Sequence, residues 1–159
     1  MPGRLSDLIT RRASEDFVGR TAELAVLLQS LEGGGPLVVG VHGIGGVGKS
    51  TLLEAFSQRA RARDTGVVRL DCRTIEPTER GFLAELGAAI GATLHDATGG
   101  ADRLSALGER VVLALDAYEL LRLLDTWLRQ VFVPALGDNV RVVLCGREPL
   151  VSAWRTAPR

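Results

Sequence analysis

The sequence has few cysteines, no long apolar run and no excess of either charge, and each shortage argues against a class of protein. The two cysteines, Cys72 and Cys145, are too few for a disulfide framework and lack the spacing of metal ligands, so we expect reduced, buried thiols. No apolar run approaches the roughly 20 residues that a membrane-spanning helix needs, and the N-terminal residues lack the apolar stretch of a signal peptide. We therefore expect a cytoplasmic location and no membrane partner.

Net charge is also missing, because nineteen arginines and lysines balance nineteen aspartates and glutamates. Such a chain has no overall field that attracts polyanions, so we expect no direct binding of nucleic acid by this segment. Lysine is especially scarce: eighteen of the nineteen basic residues are arginine, and the single lysine is Lys49. A compact ammonium at one position suits a phosphate site better than a planar guanidinium does. Composition alone therefore points to Lys49.

Apolar runs and helical patterns alternate along the chain. We expect residues 1–15 to be a lead-in segment and residues 16–159 to form one domain, since 159 residues with 46% hydrophobic content can bury one core. The strands are near-continuous apolar runs, which predicts a parallel sheet covered by helices on both faces, a three-layer α/β fold. Strands are predicted at residues 37–41, 67–70, 111–115 and 140–144, and helices at 21–32, 49–63, 79–90, 102–107 and 118–132.

A glycine-rich segment, GIGGVGKS at residues 43–50, lies between a predicted strand and a predicted helix. It matches the P-loop pattern, in which glycines let backbone N–H groups surround a polyphosphate at a helix N-terminus. Lys49 would then reach the β- and γ-phosphates and the Ser50 hydroxyl would ligate Mg²⁺. A glycine-rich turn with a chance lysine is the alternative. We expect ATP or ADP with Mg²⁺ to bind at Gly43, Ile44, Gly45, Gly46, Val47, Gly48, Lys49, Ser50 and Thr51.

An acidic residue, Asp116, ends the apolar run VVLALD at residues 111–116. Phosphoryl-transfer sites of this kind place an acid at the end of another strand, where it holds magnesium directly or through water. Aspartate is also a favoured helix N-cap, and a helix is predicted to follow, so the metal role and the capping role both stay open.

Four segments together resemble one branch of the P-loop ATPases. FVGR at residues 17–20, GIGGVGKS, VVLALDAYE and VRVVLCGRE are similar to the STAND class, which includes the NB-ARC proteins, and to its AAA-like bacterial relatives. The resemblance runs from Phe17 to Trp154. It implies that Val18, Gly19 and Arg20 lie beside the adenine and that Arg147 senses the γ-phosphate. On the residues alone, Arg147 could equally be a solvated arginine beyond the end of a strand.

The chain departs from the pattern of this class in two ways. Many members carry a second acid directly after the metal-binding aspartate, but here the neighbour is Ala117. Glu119 is the nearest acid and could polarise the attacking water, or it could simply stabilise the start of a helix. The resemblance also implies a fifth strand, a helical lid and a winged helix that we do not find in the sequence. We therefore expect sheet order 2-3-4-1 with the first strand at an open edge, in a truncated core.

Taken together, the sequence predicts an ATP/ADP-binding switch domain of a STAND-type signalling or regulatory ATPase. Hydrolysis is expected to be slow or conditional, with Lys49, Asp116, Glu119 and Arg147 as its candidate catalytic residues. Protein partners or self-association would involve regions beyond this core. Two alternatives stay open, a small-molecule P-loop phosphotransferase and a nucleotide-dependent interaction module without turnover.

Overall fold

Four parallel strands form a sheet in this computed structural model, which describes residues 21–32, 38–42, 46–147, 150 and 154. Numbered along the chain, the strands lie in the order 1-4-3-2, and every neighbouring pair is parallel. This is the predicted order 2-3-4-1 read from the other edge, so the predicted α/β fold is confirmed. The predicted lead-in at residues 1–15 lies outside the described residues. The strands are β1 (Val38–His42), β2 (Gly66–Asp71), β3 (Val111–Asp116) and β4 (Val140–Gly146).

Helices cover both faces of the sheet, as predicted. One hydrophobic cluster joins the first two helices along the chain to one face of β3 and β4, and a second joins the next two helices and residues 118–135 to the other face. Strand side chains alternate between the two clusters, because successive residues of a strand point to opposite faces. The sheet is therefore the middle of three layers. The helices are α1 (Thr21–Gln29), α2 (Gly46–Ala62), α3 (Glu79–Ile90) and α4 (Ala97–Ser105).

Side-chain caps define where the helices of the second face begin. Thr78 accepts a hydrogen bond from the N–H of Gly81 at 3.0 Å, and Asp96 accepts one from the N–H of Gly99 at 2.7 Å. Each cap satisfies one of the backbone donors that a helix N-terminus leaves unpaired. No helix in the described part of the chain is long and apolar enough to span a membrane.

The prediction that β1 is buried on both faces is wrong. Its three valines are half-buried, and Gly40 and His42 are exposed. In the described part of the chain β1 pairs with β4 alone, so it has the exposure of an edge strand. By contrast, all residues of β3 except the last are buried, because β3 lies between two other strands.

The long helix predicted at residues 118–132 is also wrong in detail. The segment starts as a 3₁₀ helix at Tyr118–Leu124, passes through the short α-helix Asp125–Trp127 and widens into a π-helix at Leu128–Phe132. A 3₁₀ helix has about three residues per turn. Tyr118, Leu121 and Leu124 are buried at this spacing and Leu120 is half exposed, although Leu121 has non-helical dihedral angles and marks a kink. The wider turn precedes Pro134, which cannot donate a backbone hydrogen bond and whose ring crowds the preceding turn.

Candidate functional site

The carboxyl ends of the four strands meet along one edge of the sheet. In register, Asp71 of β2 lies beside Asp116 of β3, and His42 of β1 lies beside Gly146 of β4. α2 begins at Gly46, four residues after the end of β1. Ligands of open α/β sheets bind at this edge. The fold therefore brings the start of α2 and the ends of β3 and β4 to one place.

Lys49 lies in the first turn of α2, and its side chain is almost fully buried, with 4% exposed. Lysine is seldom buried unless its ammonium has a partner or a function. Ser50 is exposed and Thr51 is half-buried. The backbone at Gly46, Val47 and Gly48 is already helical. Six predicted nucleotide-binding residues lie outside the described residues: Val18, Gly19, Arg20, Gly43, Ile44 and Gly45.

The thiol of Cys145, next to last in β4, is influenced by charges from both sides of the site. Burial raises its pKa to about 12; the charge of Asp116 adds to this rise, whereas the charges of Lys49 and Arg69 oppose it. The charges of Lys49 and Asp116 therefore both act on this point of the sheet. Cys72 and Cys145 are buried free thiols, which confirms the prediction made for them.

Asp116 ends β3 with its carboxylate half-buried. Its Oδ1 accepts a hydrogen bond from the N–H of Ala117 at 2.9 Å. Ala117 itself adopts the left-handed conformation, with φ 55° and ψ 43°, and no side chain caps the 3₁₀ helix that follows. Asp116 thus does not act as a helix cap here.

Glu119 reaches the end of β4. Its Oε2 accepts a hydrogen bond from the backbone N–H of Arg147 at 3.2 Å. A Cβ atom on Gly146 would come within 2.5 Å of the same oxygen, so the carboxylate packs directly against the glycine. The side chain of Arg147 is exposed just beyond the strand. The structure therefore brings Glu119 and the backbone of Arg147 together.

Three site residues have no counterpart in the sequence prediction. Tyr118, Arg122 and Asp125 line a cleft beside His42 and Gly146. Asp125 accepts hydrogen bonds from the Tyr118 hydroxyl and from Nε1 of Trp154, the latter at 2.6 Å. Only the three-residue spacing of Tyr118, Leu121 and Leu124 could have indicated that Tyr118 turns inward.

The residues present fit a magnesium-bound polyphosphate. A buried ammonium in the first turn of α2 suits phosphate, and the Ser50 hydroxyl and Asp116 carboxylate are oxygen donors of the kind that Mg²⁺ takes. Among the described residues, no group of three or more His, Cys, Asp or Glu side chains could hold a metal ion. An Mg²⁺ ion here would take its remaining ligands from phosphate and water, as is usual for this ion.

Solved structures share this fold, among them the following two. A chain from the structure of Drosophila ORC bound to DNA aligns with a TM-score of 0.66 and 19% identity over 88% of this chain. The Aeropyrum pernix ORC1 protein in complex with DNA aligns with a TM-score of 0.57 and 22% identity over 81% of this chain. The alignment covers 39% of the solved chain in both cases, so this chain spans about two fifths of their length. At such identities the likeness concerns the fold alone.

Both of these proteins were solved with DNA, and this overturns one prediction. The sequence was expected to exclude direct nucleic-acid binding, because its basic and acidic residues balance. The exclusion of nucleic-acid binding is therefore wrong, since the net charge of a whole chain does not report the charge of a local surface.

Family membership follows from sequence. A comparison with curated proteins gives no match. The sequence profile of the AAA ATPase domain matches residues 16–145, a range that includes the glycine-rich segment, Lys49 and Asp116. The match covers most of the 159 residues and supports the AAA-like part of the resemblance rather than the STAND class. This chain belongs to the AAA ATPase domain family.

Proposed function

We propose that this AAA ATPase domain binds ATP and ADP with Mg²⁺ at residues 43–51 and acts as a slow, nucleotide-dependent switch of STAND type. Lys49 would contact the phosphates, Ser50 and Asp116 would hold magnesium, and Arg147 would respond to the γ-phosphate. When bound, Mg²⁺ would neutralise phosphate charge and orient the terminal phosphate. The parts that such a switch controls would lie outside this domain.

The burial of Lys49 is the observation that carries this proposal. Its side chain is 4% exposed in the first turn of α2, which begins four residues after the end of β1. A polyphosphate bound here would place its negative charge beside this buried ammonium. The N-terminus of α2 adds partial positive charge at the same point.

Slow turnover is supported by the surroundings of Asp116. Its neighbour Ala117 has no group that could polarise a water molecule, and the Glu119 carboxylate accepts a hydrogen bond from the backbone of Arg147. A general base must lie within hydrogen-bond reach of the water that it activates. If the domain binds nucleotide without any turnover, it is an interaction module rather than a slow ATPase, and single-turnover assays separate the two.

Ligand-dependent stability tests the proposal. Mg-ATP at about 100 times its Kd is expected to raise the free energy of unfolding of the parent protein by about 2.7 kcal/mol. Lys49→Ala should lose most of this gain at the same concentration. Arg80→Ala removes an exposed cation from α3, on the other face of the sheet, and should keep the gain. Equal stabilisation of the parent and Lys49→Ala would refute the proposal.

Nucleic acid is a second candidate ligand, favoured by a local basic surface. Arg59, Arg61 and Arg63 are all exposed around the C-terminal end of α2. Proteins that neutralise DNA phosphates with such side chains lose affinity as salt rises, with a slope of about 0.9 per contact. The double variant Arg61→Gln, Arg63→Gln should therefore reduce the salt slope of duplex DNA binding by roughly 1.8. No binding by the parent at low salt, or an unchanged slope in the variant, would exclude this surface.

A further inference from the structure

We infer that Glu119 is a positioning residue that fixes the main chain of Arg147 at the end of β4, and not the base that activates water. This inference rests on the proposed function, in which Arg147 responds to the γ-phosphate and so helps to distinguish ATP from ADP. Glu119 would then hold Arg147 in position and would not take part in proton transfer.

The contact joins two segments that are 28 residues apart in sequence. Oε2 of Glu119 accepts the backbone N–H of Arg147 at 3.2 Å, directly after the last residue of β4. The first residues beyond a strand have no ladder partner, so this bond fixes where Arg147 leaves the sheet. The exposed side chain of Arg147 starts from that fixed main chain.

Gly146 makes the close approach possible. A Cβ atom at this position would lie 2.5 Å from Oε2 of Glu119 and 3.5 Å from its backbone nitrogen. The shorter distance is well inside van der Waals contact, so any other residue would displace the carboxylate. The glycine and the glutamate therefore form one unit, which we call the Glu119–Gly146 contact.

The turn after β3 holds the other end of this contact. Asp116 accepts the N–H of Ala117, and Ala117 adopts a left-handed conformation that starts the 3₁₀ helix carrying Glu119. The magnesium candidate Asp116 and the γ-phosphate candidate Arg147 are thus linked through three consecutive residues and one hydrogen bond. The Glu119–Gly146 contact therefore connects the end of β3 to the end of β4.

The two other roles for Glu119 account less well for this geometry. A base would direct its carboxylate toward the attacking water, whereas Oε2 is directed at a backbone N–H of β4. A glutamate that only stabilised a helix N-terminus would interact with its own first turn. Its bond instead crosses to the next strand.

Conservative and truncating variants distinguish position from base. Glu119→Gln keeps an oxygen that can accept the N–H of Arg147 but cannot take up a proton, whereas Glu119→Ala removes the acceptor. The readout is the ratio of the Kd for Mg-ADP to the Kd for Mg-ATP. Glu119→Ala and Arg147→Ala should each change the ratio by about three- to tenfold, the effect of one hydrogen bond. Glu119→Gln should stay within about twofold of the parent.

Two further variants complete the design. Gly146→Ala should reproduce the effect of Glu119→Ala, since the added methyl group displaces the carboxylate. It also serves if Glu119→Ala does not fold. Glu85→Ala removes a half-buried glutamate of α3 and should leave the ratio unchanged. Amide hydrogen exchange at Arg147 should accelerate in Glu119→Ala but not in Glu119→Gln.

The outcomes separate this inference from the proposed function. If Lys49→Ala binds nucleotide as well as the parent, the proposed function fails. If Lys49→Ala is impaired but Glu119→Gln behaves like Glu119→Ala, the carboxylate charge matters and the positioning role is overturned. An unchanged ratio in Glu119→Ala would overturn it as well.

Discussion

Asp116 lies directly beside Asp71 at the ends of two neighbouring strands, yet the two carboxylates have different partners. Asp71 accepts hydrogen bonds from Nε and Nη2 of Arg73, both at 3.0 Å. The side-chain hydrogen bonds from Arg73 lower the pKa of Asp71 below its ordinary value. Asp116 instead bonds to the backbone of Ala117. Because Arg73 contacts both oxygens of Asp71, we expect Asp116 to be the better magnesium ligand of the two.

This difference makes Asp71 a matched control for Asp116. Asp116→Asn is expected to reduce the magnesium-dependent part of ATP affinity by about tenfold or more, because an amide oxygen is a weaker Mg²⁺ ligand than a carboxylate. Asp71→Asn should leave the magnesium dependence unchanged, although it weakens the contact with Arg73. ATP titrations with and without Mg²⁺ measure both. Equal losses in the two variants would show that Asp116 has no specific role.

Ala117 offers a test of backbone strain. It is a non-glycine residue at φ 55°, in the turn between Asp116 and the 3₁₀ helix. A left-handed conformation costs roughly 1 kcal/mol for an L-residue with a Cβ and little for glycine. Ala117→Gly relieves this strain but also gives the unfolded chain more conformational entropy. The free energy of unfolding should therefore stay the same or rise by up to about 1 kcal/mol. Urea denaturation measures this, and a loss of 1 kcal/mol or more would contradict it.

The buried thiols predict a loss of stability at alkaline pH. Burial raises the pKa of Cys72 and of Cys145 to about 12, from an ordinary 9.0. Below pH 9 both folded and unfolded chains hold these protons. Between about pH 9 and 12 the unfolded chain loses them first, so it binds fewer protons and the free energy of unfolding falls with rising pH.

The size of that loss can be checked with one variant. At pH 10 it should be about 1.4 kcal/mol for each thiol relative to neutral pH. Cys145→Ala should therefore show a smaller difference between pH 7 and pH 10 than the parent, with reductant present in both. The same difference in both proteins would mean that the Cys145 thiol does not titrate as its burial implies.

The strands and their common edge could be predicted from sequence because their cause is local. The apolar runs that became β3 and β4 can be buried only in the middle of a covered sheet, and the strand order followed from the resemblance to P-loop ATPases. β1 was expected at an edge of the sheet and lies at one in the described sheet, but its burial was overestimated because valine-rich runs look alike at the edge and in the middle. Its pairing partners are not visible in its own sequence.

Helix details depended on packing that the sequence does not display. α4 begins at Ala97, well before its predicted start, and contains two successive glycines that disfavour helix. A Cβ atom at Gly100 would come 3.0 Å from a methyl carbon of Leu83, so the glycine lets α4 pack closely against α3. In residues 118–132 the apolar residues fit both the three-residue repeat of a 3₁₀ helix and the 3.6-residue repeat of an α-helix. The burial of Leu121 and Leu124 follows the shorter repeat.

In the candidate site, too, some residues could be identified from the sequence and one contact could not. Lys49 and Asp116 were identified because their motifs are contiguous and follow predicted strands. Their roles, like those of Glu119 and Arg147, stay predictions. The partner of Glu119 could not be identified, because it is a backbone N–H that carries no residue-type signal. That contact exists only once β3 and β4 lie side by side.

A direct calorimetric titration with Mg-ATP tests the central claim, nucleotide binding around Lys49. The parent protein, Lys49→Ala, Lys49→Arg and the control Arg80→Ala are compared at one magnesium concentration. We expect Lys49→Ala to weaken binding by at least about tenfold, and Lys49→Arg to restore it only in part, because a planar guanidinium does not replace a compact buried ammonium. Arg80→Ala should match the parent. If Lys49→Ala binds Mg-ATP as tightly as the parent, the account is contradicted.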